Sequence, residues 1–200
     1  MRYFFIDTET TGLSETAEAW QIGIVVTDEA GNYKVTFENT CRPNAEWETA
    51  AREMSKLTDA DLASLKTPEQ LMQLVADVIK THGSDNKWEN TIVCHNAAYD
   101  IPILKRMLKQ YAGVNLFDLV GYSNVICTMQ TLRMLKAAGR WSHKSCALKV
   151  IHEQLGTSEE AHTALADAEA TCWLFFELIA RLRKNWIERL VDSIKRLIKG

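Results

Sequence analysis

Between Tyr3 and Asn39 the chain holds three apolar runs broken by turn residues, and beyond them the apolar spacing becomes helical. Tyr3 to Asp7, Trp20 to Thr27 and Tyr33 to Asn39 are dominated by aromatic and β-branched residues, and such runs, bounded by Gly and Asn, read as strands. Asp28 to Asn32 joins the second run to the third across a Gly-Asn pair that suits a hairpin, so the opening third is an antiparallel meander. Thr58 with Asp61 caps a short helix, and Thr67-Pro68-Glu69-Gln70 starts a longer one reaching about Thr81. Further helices are expected over Ile101 to Tyr111, Thr128 to Ala138, Ser145 to Gln154 and from Thr163 into the tail, with strands at Thr91 to His95 and Asn124 to Cys127. Strands first and alternation afterwards imply an α/β fold with a mixed five-stranded sheet, antiparallel in its first three strands and flanked by helices.

A chain of 200 residues that is 46% hydrophobic can bury one sizeable core, so a single domain over 1–180 is expected. The five cysteines are scattered without a CxxC pair, which points away from a disulfide framework or zinc site and toward a reducing cytoplasm. No apolar run reaches membrane-spanning length, and the first one meets Asp7 too soon for a secretory signal. The net charge of -3 hides an asymmetry: residues 181–200 carry seven basic and two acidic side chains, leaving -8 for the remainder. On a helical wheel Leu182, Trp186, Ile187, Leu190, Val191, Ile194, Leu197 and Ile198 form an apolar half opposite most of those cations. This basic amphipathic extension is expected to pack on the domain, to self-associate, or to dock a protein partner, nucleic-acid phosphate or a membrane surface.

Three acid-bearing motifs carry the chemistry. Asp7 and Glu9 are two apart at a strand end, so their side chains leave the same face of the sheet. Two buried acids at close range resist joint ionisation, and a divalent cation would relieve that. Asp100 follows another strand at the start of a helix, a position also typical of an N-cap. Asp167 lies among small helix formers, and His162 precedes it by five residues, which places the imidazole at or before the first helical turn.

Asp7-Thr8-Glu9-Thr10-Thr11-Gly12, His95-Asn96-Ala97-Ala98-Tyr99-Asp100 and His162-Thr163-Ala164-Leu165-Ala166-Asp167-Ala168 together resemble the three motifs of the DnaQ-like, DEDDh exonucleases. That family includes bacterial polymerase proofreading subunits, ribonuclease T and oligoribonuclease, and its fold is ribonuclease H-like. The resemblance covers about residues 3 to 180. It implies a 3′ to 5′ exonuclease with two Mg²⁺ ions, for which Mn²⁺ can substitute. Asp7, Glu9 and Asp167 would hold the cation nearer the attacking water, Asp7 and Asp100 the other, and His162 would take the water's proton. Thr10 and Leu13 would contact the terminal nucleotide, with His95 and Tyr99 lining its sugar and base pocket. The partner implied is nucleic acid with a free 3′ end: DNA in a proofreading or repair setting, or RNA if the chain is a trimming enzyme. A non-catalytic binding module would be marked by a lost ligand, and all four acids are present.

Departures from the family pattern are Tyr99 where Phe is common, Cys127-Thr128 where Asp-Thr is common, and Gln21 where Glu is frequent. Gly139 to Lys144 mixes cations with Trp141 and is expected either to contact single-stranded substrate or to form a solvated loop around a packed Trp141. His82 and His152 have no assigned role.

Overall fold

The computed structural model describes residues 1–141, 145–157 and 163–199, with side chains described except at 33–34, 184–190 and 192–199. Strands β1 (Arg2–Thr10), β2 (Ala19–Asp28) and β3 (Tyr33–Thr40) form the antiparallel meander. Strands β4 (Asn90–Cys94) and β5 (Val125–Cys127) join parallel to β1, giving the order β3-β2-β1-β4-β5. The helices are α1 (Thr49–Ser55), α2 (Asp59–Ser64), α3 (Pro68–His82), α4 (Ala97–Ala112), α5 (Leu116–Leu119), α6 (Thr128–Ala137), α7 (Leu148–Leu155) and α8 (Ala164–Lys199).

Local chemistry accounts for the helix starts. Thr58 with Asp61, and Thr67 with Gln70, each make a reciprocal capping box at the heads of α2 and α3. Helix α7 begins at Leu148, later than the expected Ser145, because the Ser145 hydroxyl accepts from the Ala147 amide and holds that segment out of the helix. Helix α1 buries no residue and so leaves no apolar periodicity to read.

The sheet separates two apolar layers. On one face Phe4, Ile6, Ile22 and Ile24 pack with Leu71 and Val75 of α3 and with Leu104 and Met107 of α4. On the other, Phe5, Val25 and Val93 meet Ala168, Cys172 and Phe175, which form a single stripe along α8. Tyr3, Phe5 and Phe175 cluster there with ring centroids 4.9 to 6.3 Å apart; each such ring contributes roughly 1.5–3 kcal/mol by burial. A second α8 stripe, Ala170, Leu174 and Leu178, packs on Leu132 of α6 and Ile151 of α7. Helix α8 runs unbroken to Lys199, so the tail set apart at residue 181 continues the helix that covers the sheet. All five cysteines are free thiols, and among the described residues no helix is long and apolar enough to cross a membrane.

Candidate active site

The two-residue period of β1 decides where its acids point. Tyr3 and Phe5 face α8, and so do Asp7 and Glu9 further along the strand. Asp7 lies opposite Gly23 of β2, and a Cβ on Gly23 would stand 2.2 Å from the Ala164 backbone. The missing side chain therefore lets the first turn of α8 settle directly on the sheet beside Asp7. Asp167 sits in that turn, where the helix dipole favours a negative group. One carboxylate oxygen from each of Asp7, Glu9 and Asp167 lies within 4.8 Å of the others.

Asp100 approaches from the first turn of α4. It is only 3% exposed, and the Thr8 hydroxyl donates to its Oδ1 at 2.8 Å. Burial, with the charges of Asp100, Asp167 and Glu9 in that order, holds the Asp7 carboxyl well above the usual carboxylate range. Burial followed by Asp167 and Asp100 pushes Glu9 up to about 7. Burial likewise brings Asp100 up to about 6 against the lowering effect of the Thr8 hydrogen bond, with Asp167 adding to the rise. Among the described residues no Lys or Arg comes within ion-pair distance of Asp7, Glu9 or Asp100. An all-oxygen cluster whose buried acids Asp7, Glu9 and Asp100 are held above the usual carboxylate range with no Lys or Arg beside them fits hard divalent cations such as Mg²⁺.

Next to Glu9 opens a cleft of about 360 Å³ lined by Thr8, Thr10, Leu13, Trp20, Met54 and Tyr99. Leu13 is 81% exposed at its rim. The Tyr99 hydroxyl donates to the Gly12 carbonyl at 2.6 Å and contacts the Thr10 hydroxyl, so it ties the loop that bears Leu13 to α4. Glu48, which sequence reasoning missed, accepts from the Leu13 and Ser14 amides at 2.8 and 3.1 Å. A Cβ on Gly12 would collide with the Glu48 side chain at 2.2 Å, and Gly12 has φ +157. A larger groove of about 680 Å³ along Lys105, Arg106 and Lys109 contains none of the four acids, so volume alone does not locate this site.

His162 lies outside the described residues. His95, expected to line the nucleotide pocket, is instead buried with both ring nitrogens engaged. Its Nε2 donates to the Cys146 carbonyl at 2.8 Å, which leaves Nδ1 to accept from the Thr128 hydroxyl at 3.0 Å. Burial lowers its pKa, so it is a neutral clasp between the end of β4 and the start of α6. Trp141 is also turned inward: at 5% exposed, it donates Nε1–H to the Ser145 carbonyl and lies in the α6–α8 core rather than on a substrate path. The rest of that segment, Ser142 to Lys144, lies outside the described residues. His152, given no role by the sequence, has its Nε2 2.6 Å from Asp167 Oδ1. No periodic or motif signal announces that contact, which spans 15 residues and the turn after α7.

Known proteins share this fold. The RNase_T exonuclease family model matches residues 4–175. The PolC-type DNA polymerase III of Oceanobacillus iheyensis is 28% identical over 193 residues, and that of Thermotoga maritima 23% over 195. These alignments take in 95% and 96% of this chain but only 12% and 13% of the polymerases. Among solved structures, E. coli exonuclease I bound to single-stranded DNA superposes with a TM-score of 0.73 at 16% identity, covering 96% of this chain and 42% of that one. A product-bound exonuclease I superposes with a TM-score of 0.74 at 13% identity, covering 96% and 46%. The shared fold is the ribonuclease H-like mixed sheet. With the family model spanning the sheet, the acidic cluster and the first third of α8, the chain belongs to the RNase_T family of DnaQ-like 3′ to 5′ exonucleases.

Proposed function

We propose that this exonuclease removes nucleotides from the 3′ end of DNA, single-stranded or frayed, with two divalent cations in its acidic cluster. The observation that carries the reading is the convergence of Asp7, Glu9 and Asp167 within 4.8 Å, joined by the charge of Asp100. Asp7, Glu9 and Asp167 would hold one Mg²⁺ and Asp7 with Asp100 the other, Mn²⁺ being able to substitute. Bound there, such ions supply an activated water and stabilise the attacking and leaving oxygens of the phosphodiester. His162 is assigned as the general base that takes the water's proton, in keeping with an ordinary imidazole pKa of about 6.5. Thr10, Leu13 and Tyr99 form the wall on which the terminal nucleotide would rest. The likeness to PolC-type polymerases and to DNA-bound exonuclease I supports DNA as substrate and a proofreading or repair role.

The test is incubation of purified protein with end-labelled single-stranded DNA, duplex DNA and RNA, in Mg²⁺ or in chelator. Stepwise shortening of DNA from its 3′ end, abolished by chelator, is the expected result. Preferential shortening of RNA would move the assignment to an RNA-trimming enzyme. Binding without any cleavage would leave only a nucleic-acid-binding module.

A further inference from the structure

We infer that His152 is a positioning residue for the acidic cluster, holding the Asp167 carboxylate through Nε2. This rests on the reading of Asp7, Glu9 and Asp167 as cation ligands. A carboxylate can only accept, so the 2.6 Å contact from Nε2 to Asp167 Oδ1 requires the proton on Nε2. The Thr157 hydroxyl, 2.9 Å from Nδ1, completes the ring's hydrogen bonding and fixes its orientation. Thr157 is itself placed by the end of α7: Gly156 takes a left-handed φ of +71, and the Thr157 amide donates to the His152 carbonyl at 3.0 Å. A short chain of bonds thus runs from the α7 terminus through the imidazole to the first turn of α8.

Burial decides the kind of role. His152 is 2% exposed, with both nitrogens engaged, so its ring has no open path to a water or a phosphate. It acts through Asp167. An ionised carboxylate offers about four acceptor directions, and the imidazole uses one, leaving the others for a cation. The side chain of Asp167 is 16% exposed and stands in the first turn of a helix, with freedom to choose among rotamers. A donor bonded to it removes that freedom before a cation arrives, and such outer hydrogen bonds to ligands typically govern 10- to 100-fold in metal affinity or activity.

The experiment measures Mn²⁺ binding to nucleic-acid-free protein by titration calorimetry, alongside kcat and KM on single-stranded DNA, for four chains. His152→Phe keeps a ring in the core but removes the donor; it should weaken Mn²⁺ binding by about 10- to 100-fold and lower kcat with little change in KM. His152→Gln places an amide near the position of Nε2 and should restore binding to within about threefold of the parent chain. Thr157→Val lies outside the helices and leaves His152 in place but unsteadied; about a three- to tenfold weakening is expected at an unchanged circular dichroism spectrum. Parent-like Mn²⁺ affinity in a folded His152→Phe chain would overturn the inference. So would Gln and Phe variants that are equally weak beside an unaffected Thr157→Val, because that pattern marks simple packing. If the parent chain itself neither binds Mn²⁺ nor cuts DNA, the catalytic reading fails first, and this one with it.

Discussion

Gly23 stands opposite Asp7 in the sheet, and the Ala164 backbone occupies the space its side chain would need. Gly23→Ala must therefore lift the first turn of α8 and carry Asp167 away from Asp7 and Glu9. Overpacking of this kind costs about 1–3 kcal/mol, and a ligand displaced by about 1 Å costs on the order of 10² in rate. Denaturant titration and nuclease assays on the variant should show both losses together. A stable Gly23→Ala chain with full activity would mean that α8 does not need this close approach.

The acidic cluster predicts an inverted pH response in chelator. Glu9 is held at about 7 and Asp100 at about 6, both above the unfolded value of about 4. Groups whose pKa is raised by folding bind protons more tightly in the folded state. Their contribution is complete below about pH 4 and is lost as pH rises through 6 and 7. Thermal melts in chelator should show Tm falling between about pH 5 and pH 7.5. Saturating Mg²⁺ should cancel the fall, since ligand at 100 times its Kd adds about 2.7 kcal/mol. A Tm that rises over this interval in chelator would contradict the raised proton affinity that burial and neighbouring charge give these two acids.

Asp7→Asn separates stability from function. Turnover should vanish, while replacing a carboxyl whose ionisation burial and neighbouring acids oppose should stabilise the cation-free protein at neutral pH by about 1 kcal/mol, or about 2–4 °C in Tm at this chain length. The same variant should lose most of the Mg²⁺-induced rise in Tm, which calorimetry reads directly.

Glu48 and Tyr99 both restrain the loop carrying Leu13, one through two amides and the other through the Gly12 carbonyl. Glu48→Ala and Tyr99→Phe should each cost about 1 kcal/mol of local order. Steady-state kinetics should register this as a KM several-fold higher, with kcat changed less. An effect confined to kcat would place the loop in the chemical step instead.

His162→Ala should slow the chemical step by roughly 10² to 10⁴. Single-turnover rates at saturating enzyme isolate that step from product release, and a variant as fast as the parent would remove His162 from the role of base.

The strands and the larger helices were legible because each presents an apolar face with a regular period, as in Phe4 and Ile6 against Phe5. The acids were legible through the ordered resemblance of their three motifs to a known exonuclease family, since a strand end and a helix start taken singly fit a polar turn or an N-cap as well. What could not be read depends on which distant segments meet. Nothing near Glu48 announces that its carboxylate will reach amides 34 and 35 residues away. The family resemblance implies a nucleotide contact for His95 and the cations around Trp141 suggest one there, and only the bonds of His95 to Thr128 and Cys146 and the α6–α8 core around Trp141 show that both are enclosed. His152 was passed over for the opposite reason: a lone histidine on an amphipathic helix looks ordinary until the turn after α7 brings it against Asp167.

Both faces of β1 are apolar at its first half, with Phe4 and Ile6 on one side and Tyr3 and Phe5 on the other. A slip of one residue would consequently exchange aromatic for aliphatic contacts at modest cost, and greasiness alone gives little protection against it. The same slip would drive Asp7 and Glu9 into the oily layer beneath α4, where unpaired carboxylates are heavily penalised. The acids proposed as cation ligands thereby also guard the pairing of the strand that bears them, and a chain stripped of them would be freer to misalign.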